Sequence, residues 1–167
     1  MKEMEPADRH AFLAALGWLE LKNCAEAKAE LSRLGPNLKK HPDVLELKFM
    51  IHSEEADWSS ALEAARSLAE AAPERASGWL HQAYALRRVA KGGLQSAWEA
   101  LLPIADRFPE EAIVLYNLSC YACQMDRMDE ARQWLRRAMS CGSKADIKKL
   151  AMGDDDLKPI WDEVKRW

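Results

Sequence analysis

The residues best equipped for chemistry in this 167-residue chain are Cys120 and Cys123, the ends of the run Cys120-Tyr121-Ala122-Cys123. A C-x-x-C pair does thiol redox chemistry when its first cysteine opens a helix, where the dipole lowers the thiol pKa. Here apolar periodicity puts both cysteines well inside a helix, with no basic side chain beside them. A structural zinc site needs four ligands, commonly in two spaced pairs. Cys24 and Cys141 make no second pair, and His10, His41, His52 and His81 are scattered. The four thiols therefore read as small apolar groups that stay reduced in a cytoplasmic protein. Asp154-Asp155-Asp156 lacks the alternating ligand spacing of a calcium loop and suits a helix N-cap instead. Gly92-Gly93 fits neither phosphate-cradling glycine pattern. No serine stands in a nucleophile motif and no motif pairs two carboxylates. The expectation is a protein without catalysis, cofactor or bound metal.

Composition points to helices. The chain has 27 alanines and 21 leucines against four valines, five isoleucines and no threonine, so the fold class is all-α. A net charge of −3 with pI near 5.9 gives no long-range attraction to nucleic acid. No apolar run approaches the roughly 18–20 residues of a membrane span. The start, Met1-Lys2-Glu3-Met4-Glu5-Pro6, has no apolar run behind a basic end, so no signal peptide is expected and the chain is placed in the cytoplasm.

Breakers divide the chain regularly. Helices are predicted over 8–21, 24–34, from His41-Pro42-Asp43, from Glu55 or Asp57 to Ala72-Pro73, from an N-cap at Ser77 to Lys91-Gly92-Gly93, and on to Phe108-Pro109. Pro103 should kink the last of these. Two more cover 113–123 and 128–140; 144–152 and a short helix with Leu157, Ile160, Trp161 and Val164 follow. Within this series Ala27, Ala61, Ala97 and Ala131 stand 34, 36 and 34 residues apart. Each has apolar residues four and seven places later: Leu31 and Leu34, Ala65 and Leu68, Leu101 and Ile104, Leu135 and Ala138. That is one helical stripe repeated at the period of a helix–turn–helix array, whose function lies on a surface.

These residues resemble a tetratricopeptide repeat protein. Ala27, Ala61, Ala97 and Ala131 match that family's small second-helix position. Trp79, Leu45 and Leu115 match its large apolar opener. Ala15, Ala83 and Ser119 match the small residue of the first helix, Trp18 the aromatic after it, and Pro73 and Pro109 the closing proline. Phe49 stands where a small residue is usual, His52 and Ala122 replace the aromatic, and Gly92-Gly93 lies in a two-residue insertion. The run from Tyr116 to Ala122 and the tail from Asp156 to Trp161 are similar to bacterial members. The resemblance implies a right-handed α-solenoid of about four repeats, residues 8–41, 42–75, 76–111 and 112–143, closed by a helical cap at 144–167.

It also implies a concave groove lined by each repeat's first helix. The facing residues would be Phe12, Leu13 and Leu16, then Glu46, Leu47 and Met50, then Leu80, His81, Tyr84, Arg87 and Arg88, then Tyr116, Asn117, Cys120 and Cys123. Tyr and Arg carry much of the binding energy at interfaces, and Met adapts to apolar anchors. The function expected is therefore protein–protein interaction, an adaptor or chaperone-like scaffold that holds a peptide or helix of a partner. Within that set, Leu47, Met50, Leu80, His81, Tyr84, Arg87, Arg88, Tyr116, Asn117 and Cys120 are the expected contact residues. Asn117 occupies a position of the family's carboxylate clamp, but Leu80 and Tyr84 stand where the clamp needs Lys and Asn. The alternatives are a self-associating unit sealed through Phe12, Leu13 and Leu16, and a thiol or zinc protein built on Cys120 and Cys123. Trp58, Trp79 and Trp98 are expected to be packing residues.

Overall fold

The computed structural model describes residues 4–167. Among them are ten α-helices and no strand. The helices are α1 (Pro6–Glu20), α2 (Cys24–Ser32), α3 (Pro42–Glu54), α4 (Trp58–Ala71), α5 (Ala76–Leu86), α6 (Leu94–Arg107), α7 (Ala112–Gln124), α8 (Met128–Cys141), α9 (Lys144–Met152) and α10 (Trp161–Val164). Short 3₁₀ segments occupy Pro36–Leu38 and Asp155–Ile160. The chain divides into two compact units, the first ending at Val89 and the second running Ala90–Trp167. No helix among the described residues is long and apolar enough to cross a membrane.

In the first unit α1 packs on α2, α3 on α4 and α4 on α5, and α3 also touches α1 and α5. In the second, α7 packs on α6 and α8, α9 on α8 and α10, and the Asp155–Ile160 segment on α7. The four periodic alanines are all fully buried, at 0% exposure. A methyl side chain at each lets neighbouring backbones approach where a larger group would hold them apart. Leu68, Leu101 and Leu135, one or two turns further along the same stripe, are equally buried.

The turns inside three helix hairpins share one geometry. Lys22, Ala56 and Asp126 take left-handed backbone conformations, with φ of 60°, 56° and 58°. The next amide, of Asn23, Asp57 or Arg127, donates to the carbonyl of Trp18, His52 or Ala122 at 2.9 Å in each case. The left-handed residue's own amide donates to Leu19, Ser53 or Cys123. This pair of bonds is the Schellman closure of a helix C-terminus. Asn23 and Asp57 then cap the following helix, their side-chain oxygens accepting from Glu26 N and Ser60 N at 3.2 Å. The loops after α4 and α6 match as well: Ala72 and Phe108 have φ/ψ of −140°/67° and −127°/65°, each followed by proline.

Glycine is the usual residue at such a left-handed position, because a Cβ there costs about 1–2 kcal/mol. Ala56 bears that cost with an exposed methyl that packs on nothing obvious. Ala56→Gly is therefore expected to stabilise the first unit by about 1 kcal/mol, after allowing for glycine's greater freedom when unfolded. A urea-denaturation midpoint that fell instead would refute the strain argument.

The departures from the repeat pattern have structural counterparts, and the placement of two tryptophans and the start of α5 differ from expectation. Phe49, at a position where a small residue is usual, is buried among Ala61, Leu62, Ala64, Ala65 and Ala85. The alanines of α4 and α5 make the room that the ring fills. Of the three tryptophans expected to pack, Trp98 is 4% exposed, whereas Trp58 and Trp79 are only half-buried. Trp79 lies at the edge of α5 with its indole N–H donating to the Pro73 carbonyl at 3.2 Å. α5 also begins two residues earlier than the Ser77 cap implies, behind the extended Arg75, whose guanidinium pairs with Asp43 at 2.6 Å. α6 runs through Pro103, which stands at an exposed position.

Candidate binding surface

α3 presents two stripes. Leu47 and Ile51, four apart, are 1% exposed and pack with Ala15, Leu19 and Ala27. Glu46 and Met50, one position back on the wheel, form the outward stripe, and Met50 is 44% exposed. Leu47 thus belongs to the core and offers no surface to a partner, contrary to its expected place in the groove. A one-residue step is about 100° around a helix, which separates core from surface.

Phe49, the residue before Met50, joins a ring cluster drawn from α3, α4 and α5. His81 stacks on Phe49 with centroids 3.9 Å apart and planes 12° from parallel. Tyr84 meets Phe49 and Trp58 edge-on, at 6.5 and 5.9 Å. The Arg88 guanidinium lies 3.5 Å from the Tyr84 ring centroid and 5.1 Å from that of Trp58, and its Nη1 donates to the Tyr84 carbonyl at 2.9 Å. Such stacking fixes a long cationic side chain in one pose while leaving the face of the cluster open. Tyr84 is 38% exposed. His81 Nε2 stands 3.3 Å from Glu46 Oε1, and that hydrogen bond holds the Glu46 carboxyl below the usual glutamate range. Leu80 is half-buried on the same helix, and Arg87 stands at its C-cap.

α7 behaves differently. Tyr116 and Cys120, expected to line the groove, are 4% and 3% exposed. The Tyr116 hydroxyl donates to Asp154 Oδ2 at 2.7 Å, and Cys120 Sγ approaches the same oxygen at 3.5 Å. Asp154 Oδ1 accepts from the Asp156 amide at 3.0 Å, so the expected cap is made, and Gln124 donates to the Asp156 carbonyl at 3.0 Å. The segment after α9 therefore covers the face of α7 that the repeat pattern alone leaves open. Asn117 is half-buried, with its amide turned back on the Ile113 carbonyl at 2.9 Å. The signal that could have exposed this lies in the residue types: a buried tyrosine hydroxyl needs a partner, and the acidic run at 154–156 supplies one.

The same arrangement bears on thiol chemistry. Burial, then the negative charge of Asp154, pushes the Cys120 thiol well above its ordinary pKa, and Cys123 is raised by burial and Asp156. Thiolate reactivity requires the opposite shift. Cys120, Asp154 and Asp156 place one ligand atom each within 4.8 Å of one another. Asp154 already accepts from Tyr116, Cys120 and the Asp156 amide, so the cluster is satisfied by the chain's own donors. With Cys141 exposed, Cys24 half-buried against the Ile51 carbonyl, and Cys120 and Cys123 buried, native titration with a thiol reagent is expected to show one fastest-reacting group, lost in Cys141→Ser, with Cys24 slower. Fast labelling of Cys120 or Cys123 would contradict their placement.

No family model matches this chain, and no curated protein matches it. The reading of its role accordingly rests on its own residues.

Proposed function

We propose that this chain is a non-enzymatic, cytoplasmic protein–protein interaction module built from tetratricopeptide-like helix pairs, a solenoid-type repeat. The recurring buried alanines and the three identical hairpin turns support the repeat reading. The observation that carries the functional reading is the stack of half-buried Arg88 on exposed Tyr84 and half-buried Trp58, with Met50 exposed on α3. Tyr, Trp and Arg are the residue types that dominate binding hot spots, and here the arginine is already held in place. The partner is a peptide or helix of another protein, lying across α3 and α5. It sets an apolar side chain on Met50 and Tyr84 and a carboxylate on Arg88.

Site-specific photo-crosslinking in the source cell tests this. A benzophenone amino acid at position 84 is expected to give a discrete adduct that disappears with Arg88→Glu, while the same probe at position 66, exposed on α4, gives none. Equal adducts at 84 and 66, or an adduct indifferent to Arg88→Glu, would reject the surface. A second reading, self-association, is favoured by α1 and its C-cap, where Leu13 is 54%, Trp18 36% and the cap residue Leu21 71% exposed. Phe12 and Leu16, the other members of the expected patch, instead pack against the core. Sedimentation that stays monomeric across concentrations would remove this reading.

A further inference from the structure

On the α2 side of α3, away from Glu46 and Met50, the first unit contains an open cleft of about 490 Å³. Lys28, Leu31 and Ser32 of α2, Lys39 of the connecting segment, and Lys48, Ile51 and His52 of α3 line it. Half-buried Leu31 makes an apolar floor, extended by the methylene stems of the lysines, with the core residue Ile51 directly beneath it. Three ammonium groups stand around this floor. One is neutralised, since Lys28 pairs with Glu55 at 2.5 Å. The other two are not: among the described residues Lys39 and Lys48 meet no carboxylate, and Lys48 Nζ reaches only the Lys39 carbonyl, at 3.5 Å. The His52 ring closes one side, away from the two free ammonium groups, its Nδ1 facing the carboxylates of Asp57 at 3.5 Å and Glu55 at 3.9 Å.

The geometry points to a binding site for a small amphiphilic carboxylate, one anionic head with a short apolar tail. Two ammonium groups without carboxylates at the rim of an apolar floor complement both halves of such a molecule. The cleft's size falls within the range of ordinary ligand pockets. The head lies between Lys39 and Lys48, and the tail lies on Leu31 and the lysine stems, above Ile51. The site is independent of the Tyr84–Arg88 surface and of any protein partner bound there.

Methyl NMR of the full chain tests it, with sodium octanoate, 1-octanol, sodium acetate and inorganic phosphate as separate probes. Octanoate is expected to shift the Leu31 and Ile51 methyl signals saturably. The Lys39→Gln/Lys48→Gln variant, its fold checked by circular dichroism, is expected to weaken this binding about fivefold to tenfold, the loss of two partly exposed ion pairs. Octanol lacks the head and acetate lacks the tail, so each is expected to bind at least about fivefold more weakly. Arg66→Gln, which removes a positive charge from α4, leaves octanoate affinity within about twofold. Four results would overturn the assignment: no saturable shift up to about 10 mM octanoate; octanol or phosphate binding as tightly as octanoate; unchanged affinity in the double-lysine variant; or an equal loss in Arg66→Gln.

Discussion

Trp98→Ala is expected to cost the second unit about 3–5 kcal/mol, the range for truncating a buried aromatic. Trp98 is 4% exposed on α6 and reaches Trp134 of α8 edge-on, with centroids 6.4 Å apart. The Arg127 guanidinium covers its ring at 4.2 Å, and that arginine is forked onto Glu130 by two hydrogen bonds. Truncation thus removes the ring's own burial, one aromatic pair and one cation–π contact together. Trp98→Phe keeps a ring in place and should lose much less. The half-buried Trp79 is the informative comparison. Its replacement by alanine is expected to cost clearly less than that of Trp98. Denaturant melts followed by far-ultraviolet circular dichroism give the ranking, and a loss below about 1 kcal/mol for Trp98→Ala would contradict the packing described.

Gly78→Ala is the second large effect, and its sign runs against local propensity. In a free helix, alanine for glycine gains roughly 1 kcal/mol. At position 78 the added methyl would stand 2.7 Å from the Ala69 nitrogen, 2.9 Å from the Ala69 Cα and 3.1 Å from the Leu68 carbonyl carbon. All three are backbone atoms of α4, so no side chain can swing aside. α4 and α5 must separate, which loosens the contacts of Ala61, Ala65 and Ala85 around Phe49. Overpacking of this kind costs typically 1–3 kcal/mol and more where backbone must move, so a net loss of about 2 kcal/mol or greater is expected. Gly17→Ala is the control. Nothing lies within 4 Å of the methyl it would add to α1, so it should stabilise by up to about 1 kcal/mol. If both variants gain stability, the close approach of α4 and α5 is refuted.

The helices were legible because their signals are local. Pro42, Asp57, Ser143 and Asp154 mark starts, and the alanine stripe marks the buried face wherever a short side chain is needed. Surface placement was legible where it depends on one helix's own phase, as for Met50 and Tyr84. It failed by one residue at Leu47, since apolar character does not distinguish a core leucine from an exposed one. It failed at Tyr116 and Cys120 for a different reason. Their cover comes from Asp154, 38 and 34 residues further on, and no periodicity within α7 encodes that meeting. Gly78 reads in sequence as a weak spot in a helix; only the neighbouring backbone reveals why a side chain is excluded there.

The late arrival of Asp154 also matters while the chain is being made. Within the first unit each of α1 to α4 packs against the helix that follows it, so hairpins can close in the order in which they leave the ribosome. α7 has no such early completion. Until translation has passed residue 154, the phenol of Tyr116 and the thiol of Cys120 lack their acceptor and remain wetted. During that interval the Cys120 thiol is open to oxidants, and docking of the acidic turn closes that exposure while Cys141 stays accessible.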